Sequence, residues 1–133
     1  MATGLSDTIL VDTSILVDFL RGTDAAAKFL DTARAEARLS CSAVTVAELV
    51  VGTRTRAEQR AVEQLLARFD TEPITSADST RALNWLRKYH HSRGVGFHDC
   101  LIAATAVRLQ ATVATLNDKH FEQLHGVAVY RPY

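Results

Sequence analysis

Long hydrophobic runs are missing from this chain: no stretch reaches the ~18 consecutive apolar residues of a membrane span, so no membrane association is expected. An excess of one charge sign is missing too. Lys plus Arg and Asp plus Glu both number 15, and the formal net charge is zero. That excludes a general polyanion binder working through overall charge, although a local basic rim around an acidic centre is compatible with neutrality. With only 2 prolines (Pro73 and Pro132) and 6 glycines, the chain shows no linker, low-complexity tract or repeat. Its 133 residues, 47% of them hydrophobic, suit a single domain over 1–133 with a real core. The two cysteines, Cys41 and Cys100, lack metal-type spacing and sit in apolar surroundings. They read as buried free thiols of a protein in the reducing cytoplasm. The N-terminal MATGLSDT has neither a basic n-region nor an apolar h-region, so no secretory signal is expected.

What the chain does have is alternation. Strand-like runs at Thr8–Val11, Arg38–Ser42, Thr71–Ile74, Thr112–Leu116 and Val127–Tyr130 are interleaved with helical patterns. The helices are predicted over Ser14–Arg21, Ala25–Ala37, Val46–Thr53, Arg56–Phe69, Ala77–His91 and His98–Leu109. Strands alternating with helices argue for an α/β fold with a mostly parallel sheet covered on both faces.

Against that frame, four acids fall where elements begin or end. Asp12 terminates the apolar run Ile9-Leu10-Val11 and is followed at once by Thr13-Ser14. A charge at the end of a buried strand costs desolvation energy unless a cation, a proton or donors satisfy it. Glu48 and Asp99 are placed in the first turns of their helices, and Asp118 follows the strand leading to Leu116. In open α/β sheets the carboxyl edge of the strands is where ligands bind. Each acid alone has a plainer reading. Glu48 could close a capping box with Thr45, Asp99 could complement a helix dipole, and Asp118 could be a turn residue. Together, converging carboxylates need a cation, and all-oxygen ligation suits Mg²⁺ or Mn²⁺ acting on phosphate.

At these residues the chain resembles the PIN-domain family, and within it the VapC toxins of bacterial toxin–antitoxin pairs. The resemblance runs through VDTSILVDFL (11–20), SAVTVAELVVG (42–52), FHDCLIAATAV (97–107) and TLNDKHF (115–121). It implies a three-layer α/β/α sandwich with a central parallel sheet, and a Mg²⁺/Mn²⁺-dependent endoribonuclease. It further implies a homodimer inhibited by a cognate VapB antitoxin. Asp12, Glu48 and Asp99 match the family's three strongest acidic positions. The fourth is matched by Asp118, with Asn117 as the neighbour that could replace it. Thr13, Ser14 and Thr115 match the hydroxyls lining the same pocket.

RNA binding also requires positive charge, for which Arg21, Arg54, Arg56, Lys88, Arg93 and Lys119 are candidates near element ends. His90 and His91, adjacent on a helix, are expected to point different ways, which disfavours a histidine metal site; His120 reads as turn packing. The apolar faces of Ala25–Ala37 and Ala57–Phe69 are candidate dimer surfaces. A receiver-type domain, the main rival, needs an acid pair at the first strand end and a phospho-accepting Asp after a middle strand. Neither is present.

Overall fold

The structure, a computed structural model, describes residues 6–133; Met1–Leu5, which carry most of the N-terminal signal reading, and the Arg93 side chain lie outside the described residues. Five strands form one sheet: β1 (Thr8–Val11), β2 (Arg38–Ser42), β3 (Asp70–Glu72), β4 (Thr112–Ala114) and β5 (Ala128–Tyr130). Their order is β3-β2-β1-β4-β5, and every pairing is parallel. Between them run α1 (Thr13–Leu20), α2 (Asp24–Glu36), α3 (Ala43–Val51), α4 (Arg56–Leu66), α5 (Ser76–Arg93), α6 (Phe97–Leu109) and α7 (Asp118–Glu122).

Pleating divides the core in two. Ile9 and Val11 face one side of the sheet, packed with Ile15, Leu16, Leu30 and Leu65, while Leu10 between them faces the other, packed with Trp85, Ile102 and Phe121. That alternation, with helices covering both faces, is the three-layer α/β/α sandwich expected from the sequence. α6 is buried over the whole run Cys100–Ala106, and its small residues Ala103, Ala104 and Ala106 let it sit close to its neighbours. α5 ends where Gly94 takes the left-handed conformation (φ 62°), which a residue without Cβ adopts at no steric cost.

Several expectations change. α3 begins at Ala43, not Val46, because Ser42 caps it: its Oγ accepts the Val44 N–H at 3.1 Å. Thr45 is therefore inside the helix and Glu48 well past the first turn, so the Thr45–Glu48 capping box does not form. Asn117–Glu122 is not a plain turn but leads into the short helix α7. The helix α4 stops at Leu66, and its buried face is Val62, Leu65 and Leu66, with Ala57 and Ala61 exposed. On α5, Leu83 is exposed and Trp85 is buried in the core. The faces of α2 and α4 enter the core through Leu30 and Ala33 and through Val62, Leu65 and Leu66, while Ala25, Ala57 and Ala61 stay exposed. His90 and His91 do not point apart; their ring centroids are 3.7 Å from each other.

Asp78, the acid in the first turn of α5, is buried, being only 2% exposed. It closes a capping box with Thr75 and receives the Arg108 guanidinium, with Nε 3.0 Å from Oδ1. Burial pushes its carboxyl up, but the Arg108 and Thr75 donors outweigh that and hold it below the ordinary value. This network ties α5 to α6. Cys41 and Cys100 are both buried and unpaired, and burial raises each thiol to about 11.

Candidate functional site

The strand order makes β1 central. The chain winds outward through β2 and β3, then returns to the other side of β1 for β4 and β5. The switch point of this sheet therefore lies between the carboxyl ends of β1 and β4, the position where open α/β sheets form their binding crevice. Asp12 follows β1 directly and Thr115 follows β4 directly, so both stand at that crevice.

Asp12 is 3% exposed and occupies the N-cap position of α1 without capping it through its side chain. Two hydroxyls converge on one of its oxygens. Thr115 Oγ1 donates to Oδ2 at 2.7 Å and Ser14 Oγ at 2.9 Å. Both hydroxyls are themselves oriented by backbone: Asn117 N–H donates to Thr115 Oγ1 at 2.9 Å and Leu116 N–H to Ser14 Oγ at 3.1 Å. The β4–α7 segment is thus tied to the first residues of α1, with Asp12 as the knot. Among the described residues no hydrogen bond reaches Asp12 Oδ1.

Glu48 reaches the same edge from α3. Thr13 Oγ1 donates to its Oε1 at 2.9 Å, and the Thr13 and Thr45 hydroxyls are 3.0 Å apart. Asp99 arrives in the first turn of α6. Its carboxyl is raised above the ordinary value by burial first and by the charge of Asp12 next; Glu48 adds to the rise while His120 opposes it. Asp12, Glu48 and Asp99 are therefore brought together from three elements, each within the electrostatic reach of Asp99.

Among the described residues, no hydrogen bond or ion pair joins Asp118 to this trio. It opens α7, and Arg131 Nη1 lies 3.2 Å from its Oδ1. Asn117 contributes its backbone N–H rather than its side chain. Thr13, Ser14 and Thr115 all fall in the site.

Four neighbours were not legible as site residues. Thr45 is buried beside Thr13. His98 Nδ1 is 3.8 Å from Glu48 Oε2, and His120 Nδ1 is 3.5 Å from Asp99 Oδ2, so each imidazole faces a carboxylate and His120 is not merely turn packing. Arg131 is the fourth. Of the basic residues expected to help bind RNA, Arg21 lines a cavity that also contains Glu48, and Lys88 lies over the Tyr89 ring.

The donor set fits a hard divalent cation. It is all oxygen, it concentrates negative charge that raises one of its own members, and Asp12 presents one oxygen engaged by hydroxyls and another without a protein donor. Among the described residues, no three His, Cys, Asp or Glu side chains stand close enough to form a cage that could hold a metal ion. An ion such as Mg²⁺ keeps several of its waters and needs no such cage.

The family follows from comparison with known proteins. The PIN domain model matches residues 9–127, and the chain belongs to that family. Within it, the chain is 45% identical over 114 residues to Ribonuclease VapC10 of Mycobacterium tuberculosis, covering 85% of each protein. It is 34% identical over 114 residues to Ribonuclease VapC19 of the same species, covering 84% of this chain and 90% of that one. Among solved structures, a toxin–antitoxin complex from Klebsiella pneumoniae superposes with a TM-score of 0.79 at 26% identity, covering 94% of this chain and 98% of that chain.

Proposed function

We propose that this chain is a Mg²⁺- or Mn²⁺-dependent endoribonuclease, the toxin of a VapBC-type toxin–antitoxin pair. The observation that carries the reading is the convergence of Asp12, Glu48 and Asp99 at the switch point, with Asp99 raised by burial and by Asp12. A scaffold has no use for mutually repelling carboxylates gathered around a buried Asp12; a phosphodiester hydrolase does. The relatives named ribonucleases support RNA as the substrate.

Asp12 and Asp99 would hold the cation directly or through water. Glu48 and Asp118 would hold its waters, orient the nucleophile or complete a second metal position. When bound, such an ion polarises a phosphate oxygen and lowers the pKa of a coordinated water. The chain's own work is placement. Ser14 and Thr115 fix the Asp12 carboxylate by one oxygen and leave the other without a protein donor among the described residues. Thr13 does the same for Glu48. His98 and His120 stand over Glu48 and Asp99 at the mouth, more than half exposed at 68% and 55%.

The antitoxin would sit beside the acids. A cavity of about 450 Å³ bordered by Val17, Leu20, Leu49 and Val62 opens beside Glu48. An apolar segment laid there would bring a basic side chain to the carboxylates, where a charge-assisted pair replaces the cation. A homodimer would use a different face. Val51 (83% exposed), Ile74 and Phe97 border one apolar hollow beside His98. The two unpaired thiols and an RNA substrate suit the cytoplasm. Among the described residues no helix is long and apolar enough to cross a membrane.

The test is cleavage of pooled cellular RNA with and without Mg²⁺, with fragment ends mapped, single-stranded DNA in parallel and Asp12→Asn as control. Mg²⁺-dependent RNA fragments from the wild type alone support the reading. Equal cutting by Asp12→Asn, or none by the wild type, overturns it.

A further inference from the structure

All five strands are parallel, so the residue after β5 reaches the same sheet edge as the residue after β1. That residue is Arg131. Its position is set on both sides: the Thr115 N–H donates to the Tyr130 carbonyl at 3.1 Å, and Tyr133 OH donates to Asp18 Oδ2 at 2.9 Å. The side chain is set as well. Nη1 donates to the Leu116 carbonyl at 3.1 Å and to Asp118 Oδ1 at 3.2 Å. Leu116 is also the residue whose N–H orients Ser14 on Asp12. Arg131 is thus one peptide unit from the hydroxyl that holds the central carboxylate.

A guanidinium carries five N–H donors in a rigid fork. Here the two on Nη1 are engaged, and among the described residues no acceptor meets Nε or Nη2. The side chain is 51% exposed. The remaining donors therefore point a fixed, bidentate edge at solvent on the rim of an acidic crevice. Fixing the fork beforehand removes much of the ordering cost that a mobile surface arginine would incur on binding. A phosphate oxygen pair matches that edge. The crevice itself is negative at Asp12, Glu48, Asp99 and Asp118, so a polyanionic substrate needs a cation of the protein's own at its rim.

We propose that Arg131 is a substrate-binding residue: Asp118 and the Leu116 carbonyl hold its guanidinium by Nη1, and Nε and Nη2 grip an RNA backbone phosphate flanking the scissile one. Asp118 then serves the site by presenting this arginine, whichever further part it takes in holding metal-bound water. The proposal rests on the ribonuclease reading and is separable from it.

The experiment uses the full chain and an RNA oligonucleotide containing a mapped cleavage site. Cleavage is followed with Mg²⁺, and binding is followed by fluorescence anisotropy in EDTA over a salt series, for wild type, Arg131→Gln and Arg131→Lys. Arg131→Gln is expected to raise KM and Kd about tenfold with kcat within about twofold, and to reduce the salt slope by ~0.7, the share of one phosphate on a single strand. Arg131→Lys keeps the charge but not the fork, so its salt slope stays near wild type while its KM lies between the other two. Lys also guards against a folding defect in the Gln variant. Wild-type KM and slope in both variants overturn the proposal, as does a loss in kcat alone. Absence of cleavage by the wild type instead overturns the ribonuclease reading.

Discussion

Thr115→Val deletes one hydroxyl at the switch point and leaves the shape nearly unchanged. That hydroxyl donates to Asp12 Oδ2 at 2.7 Å and accepts the Asn117 N–H at 2.9 Å, in a residue with no exposed surface. A hydrogen bond to a charged group contributes about 1.5–3 kcal/mol. The Asn117 amide, near solvent, recovers part of its loss from water. The net destabilisation is then about 2–3 kcal/mol, which at ~3 °C per kcal/mol for a chain of this size lowers Tm by about 6–9 °C. Thr115→Ser keeps both hydrogen bonds and loses one methyl, costing about 1 kcal/mol and ~3 °C. Activity should separate the pair further. With one of its two donors gone, the Asp12 carboxylate is free to rotate, and cleavage should fall about 10–100-fold, as when groups that orient metal ligands are removed. The Ser variant should stay within a few-fold. Thermal melts in EDTA and initial cleavage rates in Mg²⁺ check both. A Val variant as stable and active as Ser would refute the claim that this hydroxyl orients Asp12.

Three further outcomes follow from the same geometry. Asp99→Asn removes a charge that burial and Asp12 disfavour, so it should melt higher than wild type in EDTA while losing at least ~100-fold in cleavage; a lower melting temperature would deny the repulsion. Asp78→Asn breaks a largely buried pair with Arg108, whose side chain is 30% exposed, and should cost about 2 kcal/mol, less than the ~3–5 for a fully buried pair. Because the folded-state value of Asp78 is lowered, its contribution is present above the unfolded carboxylate value and is lost as pH falls through the folded one. The wild type should therefore lose more stability than Asp78→Asn across that acid window, and parallel pH–stability curves would contradict this. Asp118→Asn retains an acceptor for Arg131 and should lose far less activity than Asp12→Asn; equal losses would place Asp118 among the indispensable acids.

Much of this was legible from sequence, and the exceptions have physical causes. β1 was readable to the residue because an apolar run ending in a polar group marks a buried parallel strand, and β2 because its short run is bounded by two helical patterns. Asp12 stood out because nothing but a satisfied site explains a carboxylate there. The start of α3 was not legible, since Ser42 is at once the last residue of a strand and the cap of a helix, and Thr45 offered a competing cap. α7 spans 5 residues, too short to show a helical period. Asp78 looks like any first-turn acid until α6 brings Arg108 to it from 30 residues away. Arg131 carried no local signal at all. Its meaning comes from strand direction: only with β5 known to run parallel to β1 does the last strand's exit fall beside Asp12. Amphipathicity told that α2 and α4 each bury one side, not what that side is buried against.

The central claim is that Asp12 and Asp99 hold a divalent cation at the β1–β4 switch point. Mn²⁺ binding to the wild-type chain and to Asp12→Asn, measured by electron paramagnetic resonance at matched concentrations, tests it without any substrate. The wild type is expected to remove Mn²⁺ from solution, and Asp12→Asn is not. Equal binding by the two, or none by the wild type, would contradict it.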